Sequence, residues 1–175
     1  SADRDGYRQM LDLGVGLFEF PLHSASPRAH DQMTGTAGSW ERSLRSIREV
    51  LELGGAVVVA LVLTRINAGE IGETLRFLKA HGIERVMLNR FNIGGRGIAE
   101  REALVPSVED LHRGFGEADS AAGELGLSIT SNICMPACVL DPRRFRRIRF
   151  SVCDVDASRR PLALDVAGNL RFCNH

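Results

Sequence analysis

The chain moves repeatedly between two hydrophobic rhythms. Leu17 to His23 alternates like a strand. Trp40 to Leu53 places Leu44, Ile47 and Leu51 at three- and four-residue spacing, the period of a helix, with Ser39 positioned to cap its start and Gly54 to end it. Ala56 to Thr64 is an unbroken run of Val, Ala and Leu, the pattern of a strand buried on both faces. Glu70 to Ala80 is again helical, with Ile71, Leu75 and Leu78 on one side and Gly82 after it. Arg85 to Phe91 reads as a third strand. Ser107 and Asp110 form a capping-box pattern for a helix that runs to about Leu125 and stops at Gly126. Leu127 to Thr130 is a fourth strand, and Tyr7 to Leu13 a short helix before the first. This βα alternation predicts a parallel sheet with right-handed crossovers.

In such sheets chemistry gathers at the carboxyl ends of the strands. Each predicted strand ends in polar residues: His23, Ser24 and Ser26; Thr64, Arg65 and Asn67; Asn89, Arg90 and Asn92, followed by Gly94-Gly-Arg-Gly97; Thr130, Ser131 and Asn132, leading into Cys134. Wet loops alone would also make strand ends polar, so the repetition indicates one rim without identifying a ligand. His23 and His30 sit in loops and read as hydrogen-bonding scaffold residues, with acid–base chemistry as the functional option. The Gly-Gly-Arg-Gly run lacks the Lys-Ser/Thr of a phosphate loop.

All four cysteines lie in the last quarter: Cys134, Cys138, Cys153 and Cys173. Pro161 to Cys173 reads as a β-hairpin, with Leu162 and Leu164 on one strand, Asp165 to Asn169 in the turn, and Leu170 and Phe172 on the return. Such a hairpin brings Cys173 near Cys153, and four gathered thiolates suit tetrahedral iron or zinc. A disulfide pair or small buried thiols are the plainer alternatives. Arg143 to Arg149 is a basic run whose alternation with Phe145 and Ile148 is only partial. It reads as a solvated strand or loop face, with an acidic peptide as the functional option.

Composition narrows the class. Net charge is zero, apolar content is 44% and charged content 25%, so no overall field favours nucleic acid or an anionic membrane. The longest apolar run, Ala56 to Leu63, is too short to span a bilayer. The polar start, without a signal-peptide pattern, predicts a cytoplasmic, reducing setting in which clustered cysteines point to metal or redox chemistry.

Five segments together resemble the radical S-adenosylmethionine (SAM) enzymes. They are Pro21-Leu-His-Ser-Ala-Ser-Pro-Arg-Ala-His-Asp-Gln-Met-Thr-Gly35; Gly38-Ser-Trp-Glu with the helix ending at Gly54; Val62-Leu-Thr-Arg-Ile-Asn67; Asn89-Arg-Phe-Asn-Ile-Gly-Gly-Arg-Gly97; and the Cys153-to-Cys173 spacing, similar to the opening of the auxiliary-cluster region called SPASM or twitch. They follow in family order and cover nearly the whole chain. The family's Cys-x3-Cys-x2-Cys loop is absent: Cys134-Met-Pro-Ala-Cys138 has the first spacing, but Asp141 stands where the third cysteine belongs. The Gly-Gly-Glu motif of the second strand is also missing.

The resemblance implies an α/β fold: the second half of a partial (β/α)6 TIM-like barrel over residues 1–132, followed by a small cysteine-bearing β-hairpin region over 133–175. It implies a fragment of a longer enzyme, inactive alone, whose first strand, Leu17 to His23, presents an unpaired edge and apolar surface. In the family a [4Fe–4S] cluster reductively cleaves SAM to a 5′-deoxyadenosyl radical that takes hydrogen from a substrate, here a peptide, a protein or a smaller molecule. By the same resemblance Ser24 or Ser26 would contact SAM, Thr64 and Asn67 would lie near its ribose and adenine, and Arg90 or Asn92 would close the pocket. Gly94, Gly95 and Gly97 would permit close backbone approach. Cys134, Cys138, Cys153 and Cys173 would hold an auxiliary [4Fe–4S] cluster. The SAM-binding cluster would lie in a preceding part of the protein, and the electron donor would be a flavodoxin or ferredoxin. No nucleic acid or membrane partner is implied. A zinc-stabilised α/β protein with a binding or hydrolytic role, and a degenerate homologue without chemistry, are the competing expectations.

Overall fold

The computed structural model describes residues 3–151 and 163–171. Helix α1 (Arg4–Asp12) starts where the Asp3 side chain accepts a hydrogen bond from Gly6 N. Strand β1 (Phe18–Pro21) follows, then helices α2 (Pro27–Thr34) and α3 (Ser39–Glu52), strand β2 (Val57–Leu63), helix α4 (Ile71–Ala80) and strand β3 (Arg85–Arg90). A 3-10 turn (Gly95–Ile98) and the short α5 (Arg101–Leu104) lead to α6 (Val108–Leu125), strand β4 (Ser128–Ser131), a second 3-10 turn (Pro142–Arg144) and strand β5 (Ile148–Phe150). The α/β alternation read from the sequence is therefore present. So is the Ser107–Asp110 capping box, with hydrogen bonds in both directions, and Gly126 ends α6 at a φ of 64°.

The five strands form one parallel sheet in sequential order, β1-β2-β3-β4-β5. Its two faces differ. Phe18, Val57, Val59, Leu61, Leu63, Val86, Leu88, Ile129 and Ile148 are buried and, with the apolar faces of the helices, make the core. The residues alternating with them are half-buried or exposed: Val58, Ala60 and Val62 on β2, Met87 and Asn89 on β3, Thr130 on β4 and Arg149 on β5. Among the described residues, this second face is only partly covered. The apolar run of β2 predicts burial on both sides, but the side chains bury only one.

Two further features differ from the sequence reading. Helix α2 occupies what reads as a loop, although its signals are ordinary: Ser26 caps it, Pro27 opens it and Gly35 closes it at a φ of 64°. Ser39 does not cap α3. Gly38 holds that position, and the Asp31 carboxylate does the capping, accepting from Gly38 N at 2.6 Å, Ser39 Oγ at 2.8 Å and Trp40 N at 2.9 Å. The basic run does present its arginines to solvent, as the sequence suggests, and it ends as strand β5; its Phe145 and Ile148 are buried, Phe145 against Phe115 and Phe150. The expected division at residue 132 falls in the loop between β4 and β5, so the sheet continues past it.

Strands β6 (Ala163–Leu164) and β7 (Leu170–Arg171) pair antiparallel around Asp165, whose carboxylate accepts from Ala167 N and Asn169 N, with Gly168 at a φ of 83°. The hairpin turn thus lies where the sequence places it. Its outer ends, with Cys153 and Cys173, lie outside the described residues.

Helix α6 reaches the sheet closely because residue 114 has no side chain. A Cβ on Gly114 would lie 2.3 Å from Leu63 Cδ1 and 3.3 Å from Ile71 Cγ1, and both partners are fully buried. Gly114→Val is expected to destabilise the fold by about 2 kcal/mol through overpacking. A urea midpoint equal to wild type would disprove that close contact.

Candidate functional site

The carboxyl ends of the five strands share one rim, and it divides into a closed half and an open half. In the closed half, at β1 and β2, the backbone is locked by side chains that the sequence offers as cofactor contacts. Asn67 is fully buried and makes four hydrogen bonds. Its Nδ2 donates to the carbonyls of His23 (2.6 Å) and Val62 (2.9 Å), and its Oδ1 accepts from Thr64 N (2.8 Å) and Thr64 Oγ1 (3.2 Å). Ser24, also fully buried, donates Oγ to Glu70 Oε2 at 2.9 Å, accepts from Ser26 N at 2.9 Å, and offers its carbonyl to Trp40 Nε1. Ser26 is half-buried, with its Oγ turned to Ala29 N at the start of α2. The hydrogen-bonding groups of Ser24, Thr64 and Asn67 are thus committed inside the protein.

His23 and His30 belong to the same network, in the scaffold role the sequence suggests, although His30 stands in α2 and not in a loop. His23 N donates to His30 Nδ1 at 3.0 Å, and His23 Nδ1 accepts from Val62 N at 3.4 Å. An accepting Nδ1 puts the proton of neutral His30 on Nε2, which is buried without a partner. Burial, with the neighbouring His30 second, lowers the His23 pKa from 6.5 to about 4; burial also lowers that of His30. Both rings are neutral at pH 7.

The open half lies at β3, β4 and β5. The Arg90 guanidinium donates from Nε and Nη2 to the Cys134 carbonyl, at 3.3 and 3.1 Å, and from Nη1 to Asn92 Oδ1 at 3.2 Å. One side chain therefore ties the β3 exit to the loop that carries the first two cysteines. Asn89 Oδ1 accepts from Asn132 N at 2.8 Å, and Asn132 Oδ1 accepts from Ser151 Oγ at 3.1 Å. Cys134 Sγ lies 3.9 Å from the Ser151 carbonyl. Ser151 escapes the sequence reading because β5, which it follows, is too short to announce itself by periodicity.

The glycine run has a local explanation. A Cβ at Gly97 would meet the Phe91 ring at 2.8 Å, and Gly95 holds a φ of 53°; Gly94 faces open space. Close approach at Gly97 is thus made by the protein's own aromatic ring.

The structure brings Arg90, Asn92 and Cys134 together and sets Ser24, Ser26, Thr64 and Asn67 apart in the closed half. Cys134 is half-buried and Cys138 exposed. Among the described residues, no three His, Cys, Asp or Glu side chains converge as a metal site. No helix among them is long and apolar enough to cross a membrane.

This geometry defines an α/β protein with a polar rim at the carboxyl ends of a parallel sheet. No known protein-family profile matches the chain. It is 24% identical over 113 residues to a PqqA peptide cyclase of Methylocella silvestris, covering 65% of this chain and 30% of that protein. It is 22% identical over 117 residues to a PqqA peptide cyclase of Granulibacter bethesdensis, covering 67% and 31%. The chain thus spans about a third of the length of these relatives. Among solved structures, a PaMucR phosphodiesterase in complex with c-di-GMP aligns over 82% of this chain and 64% of its own at 16% identity and a TM-score of 0.32, too low to bear on fold or function.

Proposed function

We propose that this chain is part of a radical SAM enzyme that modifies a peptide, and that its sheet is a segment of that family's partial barrel. The observation that carries this reading is the sheet itself. Parallel strands in sequential order, buried on one face and open on the other, with polar loops gathered at one rim, are what a barrel segment requires. A doubly wound sheet would reverse its strand order at a switch point. The relatives' name supplies the substrate class.

In this reading Cys134, Cys138, Cys153 and Cys173 hold the auxiliary iron–sulfur cluster. Supporting it, Cys134 lies at the open rim beside Ser151, which precedes Cys153 by two residues. Four thiolates satisfy a [4Fe–4S] cluster without borrowed ligands. SAM with its own cluster supplies hydrogen abstraction; the electron donor is a flavodoxin or ferredoxin. In this reading the side chains of Ser24, Thr64 and Asn67, each buried and hydrogen-bonded within the closed half, support the SAM site from behind. Their part is to hold the β1 and β2 loops in place. Ser26, Arg90 and Asn92, all half-buried at the rim, remain the candidates for contact.

Anaerobic reconstitution with iron and sulfide tests the cluster. The expected result is iron and sulfide bound together with broad visible absorption, lost when Cys134 and Cys153 are both replaced by Ser. Stoichiometric zinc with no colour would overturn it in favour of a zinc-stabilised α/β protein. No metal at all would favour a degenerate homologue.

A further inference from the structure

The open face of the sheet carries a charge pattern that the rim chemistry does not use. Three strands contribute to it side by side. Arg85 is exposed on β3, Ser128 exposed and Thr130 half-buried on β4, and Arg149 exposed on β5. Their neighbours along each strand, Val86, Ile129 and Ile148, are buried on the opposite face, which fixes the direction of this set. Arg85 is in register with Ser128, and Thr130 with Arg149. The two arginines are therefore separated by about 10 Å across the strands and about 7 Å along them, within the joint reach of two arginine side chains. Two hydroxyls lie between.

Neither guanidinium has a carboxylate partner among the described residues. The contrast with the adjoining sequence is sharp: Arg143 is paired with Asp141, and Arg147 with Asp119. Among the described strand residues, the one acid on the open face is Glu19, two strands from Arg85 across Val58. Beside the cationic set, Val58, Ala60, Val62 and Met87 form an apolar floor. In a chain of zero net charge, this face is locally cationic and half apolar.

We infer that this face binds an extended peptide segment with a carboxylate side chain lodged between Arg85 and Arg149 and apolar side chains on the β2–β3 floor. Guanidinium matches carboxylate in shape and charge, and the Ser128 and Thr130 hydroxyls supply further donors. The identity of the occupant as substrate rests on the peptide-modifying reading above. The binding does not, because it needs neither SAM nor iron.

The test uses this chain, free of metal, at low ionic strength. The probe is a fluorescein-labelled ten-residue peptide alternating Glu with Val, set against the same peptide with Gln for Glu. The Glu peptide is expected to bind about tenfold more tightly than the Gln peptide, and R85Q and R149Q each to remove most of that difference. R144Q, an exposed arginine outside the face, should keep it. Equal affinity for the two peptides, or an equal loss in R144Q, would overturn the inference. So would a single-stranded oligonucleotide that displaces the peptide and is itself weakened by R85Q and R149Q, since the face would then be reading phosphate. Failure to load iron with Glu-peptide binding intact would sink only the cluster reading.

Discussion

Asn67→Ala is expected to lower the stability of this protein by about 4 kcal/mol, because several buried polar groups would lose their partner at once. The amide joins the end of β1 to the turn after β2 through the His23 and Val62 carbonyls and through Thr64 N and Oγ1. Alanine leaves two carbonyls, an N–H and a hydroxyl to find water in a place where Asn67 is fully buried. Asn67→Asp should be as damaging, since a carboxylate cannot donate to the two carbonyls. Urea denaturation monitored by Trp40 fluorescence measures both. A loss below about 1 kcal/mol, the size of a single ordinary hydrogen bond, would show that the network does not carry the closed half of the rim.

Acidification is expected to cost about 3 kcal/mol between pH 6.5 and about 4, with His23 as the main cause. Its pKa is about 4 in the folded protein and 6.5 in a free chain. Between those values the unfolded chain takes up a proton that the folded protein refuses, so stability falls as pH falls and is fully present only above 6.5. A tenfold weaker hold on the proton in the folded protein is worth about 1.4 kcal/mol. His30 is displaced in the same direction and adds to the loss. Asp31 and Asp110 contribute only at lower pH. Hydrogen bonds from Trp40 N and from Ser107 N hold their carboxyls below the usual 3.8, so that part of the stability disappears as they protonate. Urea midpoints across this range should therefore drop for wild type and flatten for His23→Gln. A wild-type midpoint constant from pH 7 to 5 would contradict the buried neutral pair.

The rim shows what a linear sequence conveys and what it does not. Ser24, Thr64 and Asn67 are recognisable as polar residues after apolar strands, and polar residues in that position suggest ligand contact. Nothing in the sequence says that Glu70, 46 residues from Ser24, supplies its acceptor. Nor does it say that Asn67 Nδ2 will turn inward to the His23 carbonyl, 44 residues away. Such partners are set by how strands stack, so asparagine joins β1 to β2 from a fully buried position in the closed half and ties β3 to β4 from the partly exposed rim in the open half.

The strands and helices with strong periodicity, the parallel order, the Ser107 capping box and the Asp165–Asn169 turn were determined by the sequence alone. Each depends on side-chain spacing or on interactions within a few residues. Tertiary structure decided the rest. It made β5 a strand, because three residues carry too little pattern to be seen without β4 beside them. It gave the α3 cap to Asp31, because α2 turns that carboxylate back onto the next helix. It left one face of β2 open, because burial depends on what packs against a strand as well as on its apolarity. That open face, with Arg85 and Arg149 projecting from it, exists only once the strands are aligned.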